Sequence, residues 1–108
     1  MFARILEFEL KAEKKAEFVK AIKNEVLPNL RKQVGFLEML PFFPEQTDEK
    51  RVYNVSFWST KADAERYQKE LFPKIYETLK PYLNSPIVVK HYMLETTLCE
   101  HFVQSLAA

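Results

Sequence analysis

The chain has one glycine, one cysteine and two histidines among 108 residues, and each scarcity removes a class of chemistry. With Gly35 alone, no glycine-rich phosphate loop can form, because such loops need several positions without a Cβ against the phosphate oxygens. Cys99 by itself makes neither an internal disulfide nor a thiolate zinc cage. A small secreted domain normally carries more cysteines, so a reducing, cytoplasmic setting is expected. His91 and His101 lack the spaced partner ligands of a zinc or iron site, and no metal is expected. Neither charge sign dominates. Sixteen basic and fifteen acidic residues leave a formal +1, too weak a field to recruit nucleic acid or an anionic membrane. Long apolar runs are also missing: nothing approaches the ~20 residues of a membrane-spanning helix, and Arg4, Glu7 and Glu9 break up residues 2–10 in a way a signal peptide does not.

Aromatic side chains, by contrast, are plentiful: nine Phe, five Tyr and one Trp. A chain this short buries only about two-thirds of its unfolded surface. Some of that bulk is therefore expected to face a partner or a ligand.

Along the chain the hydrophobic period switches four times between two and 3.6. Phe2, Leu6, Phe8 and Leu10 alternate with Ala3, Ile5, Glu7 and Glu9, which predicts a first strand. From about Glu13, Phe18, Ile22, Val26 and Leu30 recur every four residues, which predicts a long amphipathic helix. Pro28 inside it predicts a kink, and Gly35 a left-handed stop. Residues 36–40 read as a second strand, limited by Pro41 and Pro44 to an edge or bulge. A polar hairpin loop at residues 45–50 leads into a third strand at 51–58. That strand carries large side chains on both faces, Val52, Asn54, Ser56 and Trp58 on one and Tyr53, Val55 and Phe57 on the other, so both faces must be covered. Thr60 with Asp63 predicts a capped helix start at Lys61, followed after Phe72-Pro73 by a second helical segment as far as Leu83. Residues 87–95 read as a fourth strand. Residues 1–97 are read as one domain and 98–108 as a C-terminal tail able to form a short helix.

This order of elements predicts an α+β fold of the ferredoxin-like, split βαβ kind: a four-stranded antiparallel sheet with both helices on one face. The other face would be bare, and a second copy packed against it would complete a dimeric α+β barrel.

For chemistry, the hydroxyl residues lack the nucleophile-elbow glycines of covalent hydrolases. Asn54 and Trp58 give the sharper signal. Four apart on a strand, they share a face, and an Asn amide there has four hydrogen-bonding positions to satisfy. One reading is neighbouring backbone with Trp58 as core; the other is a pocket wall where the amide orients a polar group and the indole stacks on a flat ligand. Tyr67, Phe72 and Tyr76 lie on the helical segment expected over that strand and are candidates to line the same cavity. His91 on the fourth strand is a candidate for proton transfer, with inert packing as the plainer alternative.

Over roughly residues 2–97 the chain resembles the antibiotic biosynthesis monooxygenase family of dimeric α+β barrels. The resemblance rests on Val26-Leu-Pro-Asn-Leu30, Gln33-Val-Gly-Phe36 and above all Phe57-Trp-Ser-Thr-Lys-Ala-Asp-Ala-Glu-Arg-Tyr67. It implies a homodimer with a pocket between sheet and helices. It further implies monooxygenation of a polycyclic phenol or quinol without metal or flavin, hence no cofactor, with Asn54 and Trp58 lining the pocket. A related branch degrades haem with an Asn on the first strand and a His ligand in the second helical region. Here the matching positions are residues 5–7, which hold no Asn, and the neighbourhood of Tyr76, which speaks against haem.

Two functions follow as expectations. The first is a cofactor-independent monooxygenase of a small aromatic or quinol substrate: Trp58, Tyr67 and Phe72 hold it, Asn54 polarises a carbonyl or phenolate, and His91 or Tyr76 moves the proton. The alternative is a non-catalytic dimeric ligand-binding or stress-related domain of the same fold.

Overall fold

A computed structural model describes residues 1–46 and 49–100. Four strands, β1 (Phe2–Glu9), β2 (Phe36–Phe42), β3 (Arg51–Trp58) and β4 (Val88–Met93), form one antiparallel sheet in the order β2-β3-β1-β4. Between them lie α1 (Lys15–Ala21), a π-helical turn (Ile22–Val26) and α2 (Leu27–Arg31), then α3 (Lys61–Glu70), α4 (Phe72–Leu79) and a 3-10 turn (Lys80–Tyr82). This is the ferredoxin-like α+β arrangement expected from the order of periods. Another 3-10 turn, Thr96–Leu98, opens the tail; residues 101–108, on which the rest of that expectation falls, lie outside the described residues.

Strand register follows the sequence pattern. Leu6 faces Asn54 on β3 and Val89 on β4, which puts Phe2, Arg4, Leu6 and Phe8 on the helix side with Val52, Asn54, Ser56 and Trp58. Phe8, Val52 and Trp58 are almost completely buried there, and each such side chain contributes about 1.5–3 kcal/mol through the apolar area it removes from water. On β2 the register shifts between Phe36 and Glu38. The extra residue lets Phe36 and Met39, three apart, both meet the helix side opposite Trp58 and Ser56.

At Pro28, where the sequence predicts a kink, the helix carries a π-helical turn. The proline ring nitrogen cannot donate to Asn24, and the preceding turn widens: the Leu27 N–H reaches back five residues to the Ile22 carbonyl. The helix thereby passes the proline without ending. Gly35, at φ +84°, makes the turn into β2, and its carbonyl accepts from Ser59 N–H at 2.8 Å. At α3 the Asp63 N–H donates to Thr60 Oγ1 at 3.1 Å and the hydroxyl donates in turn to Asp63 Oδ2 at 2.9 Å, the reciprocal cap that the pair predicts.

Candidate functional site

The sheet's helix side is divided into two unlike regions. Under α3 and α4 the aromatic side chains pack as a column, with a more open pocket of about 470 Å³ on the β4 side, which Phe72, Tyr76 and Val89 help line. Trp58, 0% exposed, stacks on Tyr67 at 4.9 Å, and the column continues through Phe72 and Tyr76 at about 6 Å per step. The Trp58 indole N–H donates to Ser56 Oγ at 3.0 Å, so its one polar group is satisfied within the protein. Arg4, 2% exposed, is buried against this column with its guanidinium carbon 4.8 Å from the ring centres of both Tyr67 and Phe72. It donates through Nη2 to Gln68 Oε1, while its Nε has no hydrogen-bond partner among the described residues. Burial lowers the Arg4 pKa from its ordinary value, with Tyr67 acting in the opposite direction. The same burial pushes the Tyr67 phenol up to about 12, Arg4 restraining the rise.

Beneath α1, the π turn and α2 the packing opens into a cavity of about 640 Å³. Phe8, Phe18 and Val52 contribute its apolar wall from the core, and Phe36, Met39 and Phe43 close the side toward β2. Its polar groups come from Asn54 on β3, Glu38 on β2, and Lys23 and Arg31 on the helical run. Asn54 Oδ1 is buried and has no hydrogen-bond partner among the described residues. The strand alternation aims this amide at the cavity, and Pro41, the β2 residue opposite, has no N–H to offer.

The residues singled out in the sequence therefore separate into two groups. Asn54 lines the cavity. Trp58, Tyr67 and Phe72 come together, as the packed column and not around Asn54's cavity. His91 sits across from Arg4 on β4, exposed, its ring edge-on to Phe2 at 5.3 Å; partial burial and then Arg4 hold its pKa below the usual histidine value. Between His91 and Asn54 lies the whole width of β1. With strands about 4.8 Å apart and about 3.3 Å per residue, their Cα atoms are roughly 12 Å apart, beyond direct contact. The Tyr76 hydroxyl accepts the Ile87 N–H at 2.9 Å and pins the start of β4. Sequence reasoning missed Lys23, Arg31 and Phe43 at the cavity and the burial of Arg4. For Arg4 the signal was available, since the period of two places it on the same face as Phe2 and Leu6. Among the described residues no group of three or more His, Cys, Asp or Glu gathers to hold a metal ion, and no helix is long and apolar enough to cross a membrane.

The chain thus presents a ferredoxin-like α+β sheet with a cavity under its first helix and a strand-borne amide on the cavity wall. The chain belongs to the antibiotic biosynthesis monooxygenase family, whose model matches residues 1–71, a span that contains every residue lining the cavity. Among solved structures it is similar to SnoaB, a cofactor-independent oxygenase from Streptomyces nogalater, at 16% identity over 92% of this chain and 97% of that one, TM-score 0.73. It is also similar to a monooxygenase from the gene ActVA-Orf6 of Streptomyces coelicolor, in complex with nanaomycin D, at 19% identity over 87% of each chain, TM-score 0.69. A third, Rv0793 from Mycobacterium tuberculosis, shares 13% identity over 93% of this chain and 97% of that one, TM-score 0.65. At these identities the likeness is one of fold. No curated protein matches the sequence.

Proposed function

We propose that the protein is a cofactor-independent monooxygenase acting on a small aromatic, phenolic or quinol substrate held in the cavity beside Asn54. The observation that carries this reading is the unpartnered Asn54 Oδ1 on the wall of a cavity of about 640 Å³. A buried amide oxygen left without a donor costs about 1–3 kcal/mol, and a substrate hydroxyl recovers it. Membership of the family and the likeness to a cofactor-independent oxygenase and to a monooxygenase with a bound small ligand support the same reading.

The chemistry asks little of the protein. A quinol and O2 contain the atoms and electrons of a hydroxyquinone and water: the ring supplies the electrons, one oxygen atom enters it and the other leaves as water. The side chains need to bind the ring, favour its ionised form and keep bulk water from the reacting carbon. The amide of Asn54 can turn its N–H toward a phenolate or its oxygen toward a phenol, so it serves both protonation states. Phe8, Phe18 and Phe36 offer apolar and aromatic faces to the ring. Trp58, Tyr67 and Phe72 then act from behind, as the packing that fixes β3 and thus Asn54. The proton-transfer roles expected of His91 and Tyr76 have no geometric support, as neither lines this cavity. A second copy of the chain covers the outer face of the sheet, where Phe42, Tyr53 and Tyr92 are 54%, 43% and 51% exposed.

Oxygen uptake against a panel of quinols tests the reading. The wild type consumes O2 with at least one of them, and Asn54→Ala reduces the rate by about 100-fold, in the range seen for loss of one preorganised polar contact. Equal inertness of both proteins across the panel assigns the cavity to a non-catalytic binding domain instead.

A further inference from the structure

Two exposed cations, Lys23 and Arg31, line the cavity against a single acid, Glu38. Among the described residues, neither Lys23 nor Arg31 makes an ion pair with a carboxylate. The one acid among the cavity residues, Glu38, accepts the Met39 N–H through Oε1 at 2.9 Å and offsets one of the two positive charges. The cavity therefore carries a surplus of positive charge at its helical wall, although the chain as a whole is nearly neutral.

The π turn is what aligns the pair. Two α turns take about 7.2 residues, so in an unbroken α-helix the residue eight positions on overshoots its face by about 80°. The turn over Ile22–Val26 takes up that excess, and Lys23, Leu27 and Arg31 all line the same cavity. Their backbone positions lie about 12 Å apart along the axis, a span that two long side chains bridge from either end. The wider turn forced by Pro28 thus sets two cations on one wall, with Asn54 opposite on β3.

We infer that this cavity is built for a substrate bearing a carboxylate: the carboxylate binds between Lys23 and Arg31, the ring lies on the phenylalanines, and a ring hydroxyl meets Asn54. This rests on the cavity being the substrate site proposed above, and it specifies which of the aromatic substrates that site prefers. An arginine fork and a lysine ammonium together give a carboxylate both directed hydrogen bonds and charge.

Calorimetric titration with 1-hydroxy-2-naphthoate and with its methyl ester separates the charge from the ring. The wild type binds the acid about tenfold more tightly than the ester. Lys23→Gln with Arg31→Gln removes that preference by weakening the acid alone, while Lys20→Gln, an exposed helix lysine that does not line the cavity, leaves it intact. Equal affinity for acid and ester, no binding of the acid, a preference that survives the double substitution, or one lost equally in Lys20→Gln each overturns the inference. Oxygen uptake with uncharged 1,4-dihydroxynaphthalene, measured alongside, keeps the two ideas apart. Uptake without acid preference sinks the inference alone. Acid preference without uptake by any quinol sinks the monooxygenase and leaves the cavity as a carboxylate-binding site alone.

Discussion

Burial takes a guanidinium away from water, and Arg4 recovers part of that loss from the faces of Tyr67 and Phe72 and from Gln68, with no carboxylate partner among the described residues. The neighbouring phenol bears the same environment with opposite consequences. Tyr67 ionises near pH 10 in an unfolded chain and near 12 in the fold, so between these values the unfolded state has lost a proton that the folded state keeps. Stability accordingly falls as pH rises above 10. Thermal melts between pH 9 and 11 should show a steeper loss for the wild type than for Tyr67→Phe, which keeps the ring on Trp58; parallel curves contradict the assignment. Asn54 and Trp58 were marked out together by a shared strand face, and the face is shared. Nothing in a period of two, however, tells which of two same-face residues meets a cavity. That depends on the helix lying above each, and α1 with its π turn leaves a gap over Asn54, whereas α3 presses Tyr67 onto Trp58.

At the scale of elements, the alternating and four-residue periods were enough to place all four strands and both helical runs, because each buries one face against the other layer. The boundaries were less legible. The π turn arises from a missing donor at Pro28 combined with an apolar stripe that continues beyond it, and periodicity alone does not distinguish a widened turn from a kink. The β2 shift at Phe36 and Glu38 was equally hidden, since it depends on pairing with β3. Gly35 was legible as a helix stop, and the structure adds a second reason for glycine: a Cβ there would collide with the Asp63 carboxylate, which caps α3 and pairs with Arg66. Gly35→Ala combines a positive φ with that collision and should destabilise by about 1–3 kcal/mol in chemical denaturation. An unchanged midpoint would show that the α2–β2 turn can relax away from α3.

Over the whole molecule, the sheet has one face in the core and one that the described residues leave partly open. On the outer face Glu7 pairs with Lys90 at 3.2 Å and Arg51 at 3.7 Å across three strands, amid Phe42, Tyr53, Val88 and Tyr92. Such a mixed apolar surface fits a second copy, and a stable interface needs roughly 800 Å² from each partner. Sedimentation equilibrium at micromolar concentration should return twice the chain mass of 12.8 kDa, and Phe42→Glu with Tyr53→Glu should return the single mass. A monomeric wild type contradicts the face-to-face dimer.

The central claim, that the cavity beside Asn54 inserts one atom of O2 into an aromatic substrate, is tested most directly with labelled oxygen. Turnover of an accepted quinol under ¹⁸O2 should give a product carrying one labelled atom and labelled water in equal amount, formed about 100-fold more slowly by Asn54→Ala. Unlabelled product, or stoichiometric hydrogen peroxide in place of labelled water, would contradict it.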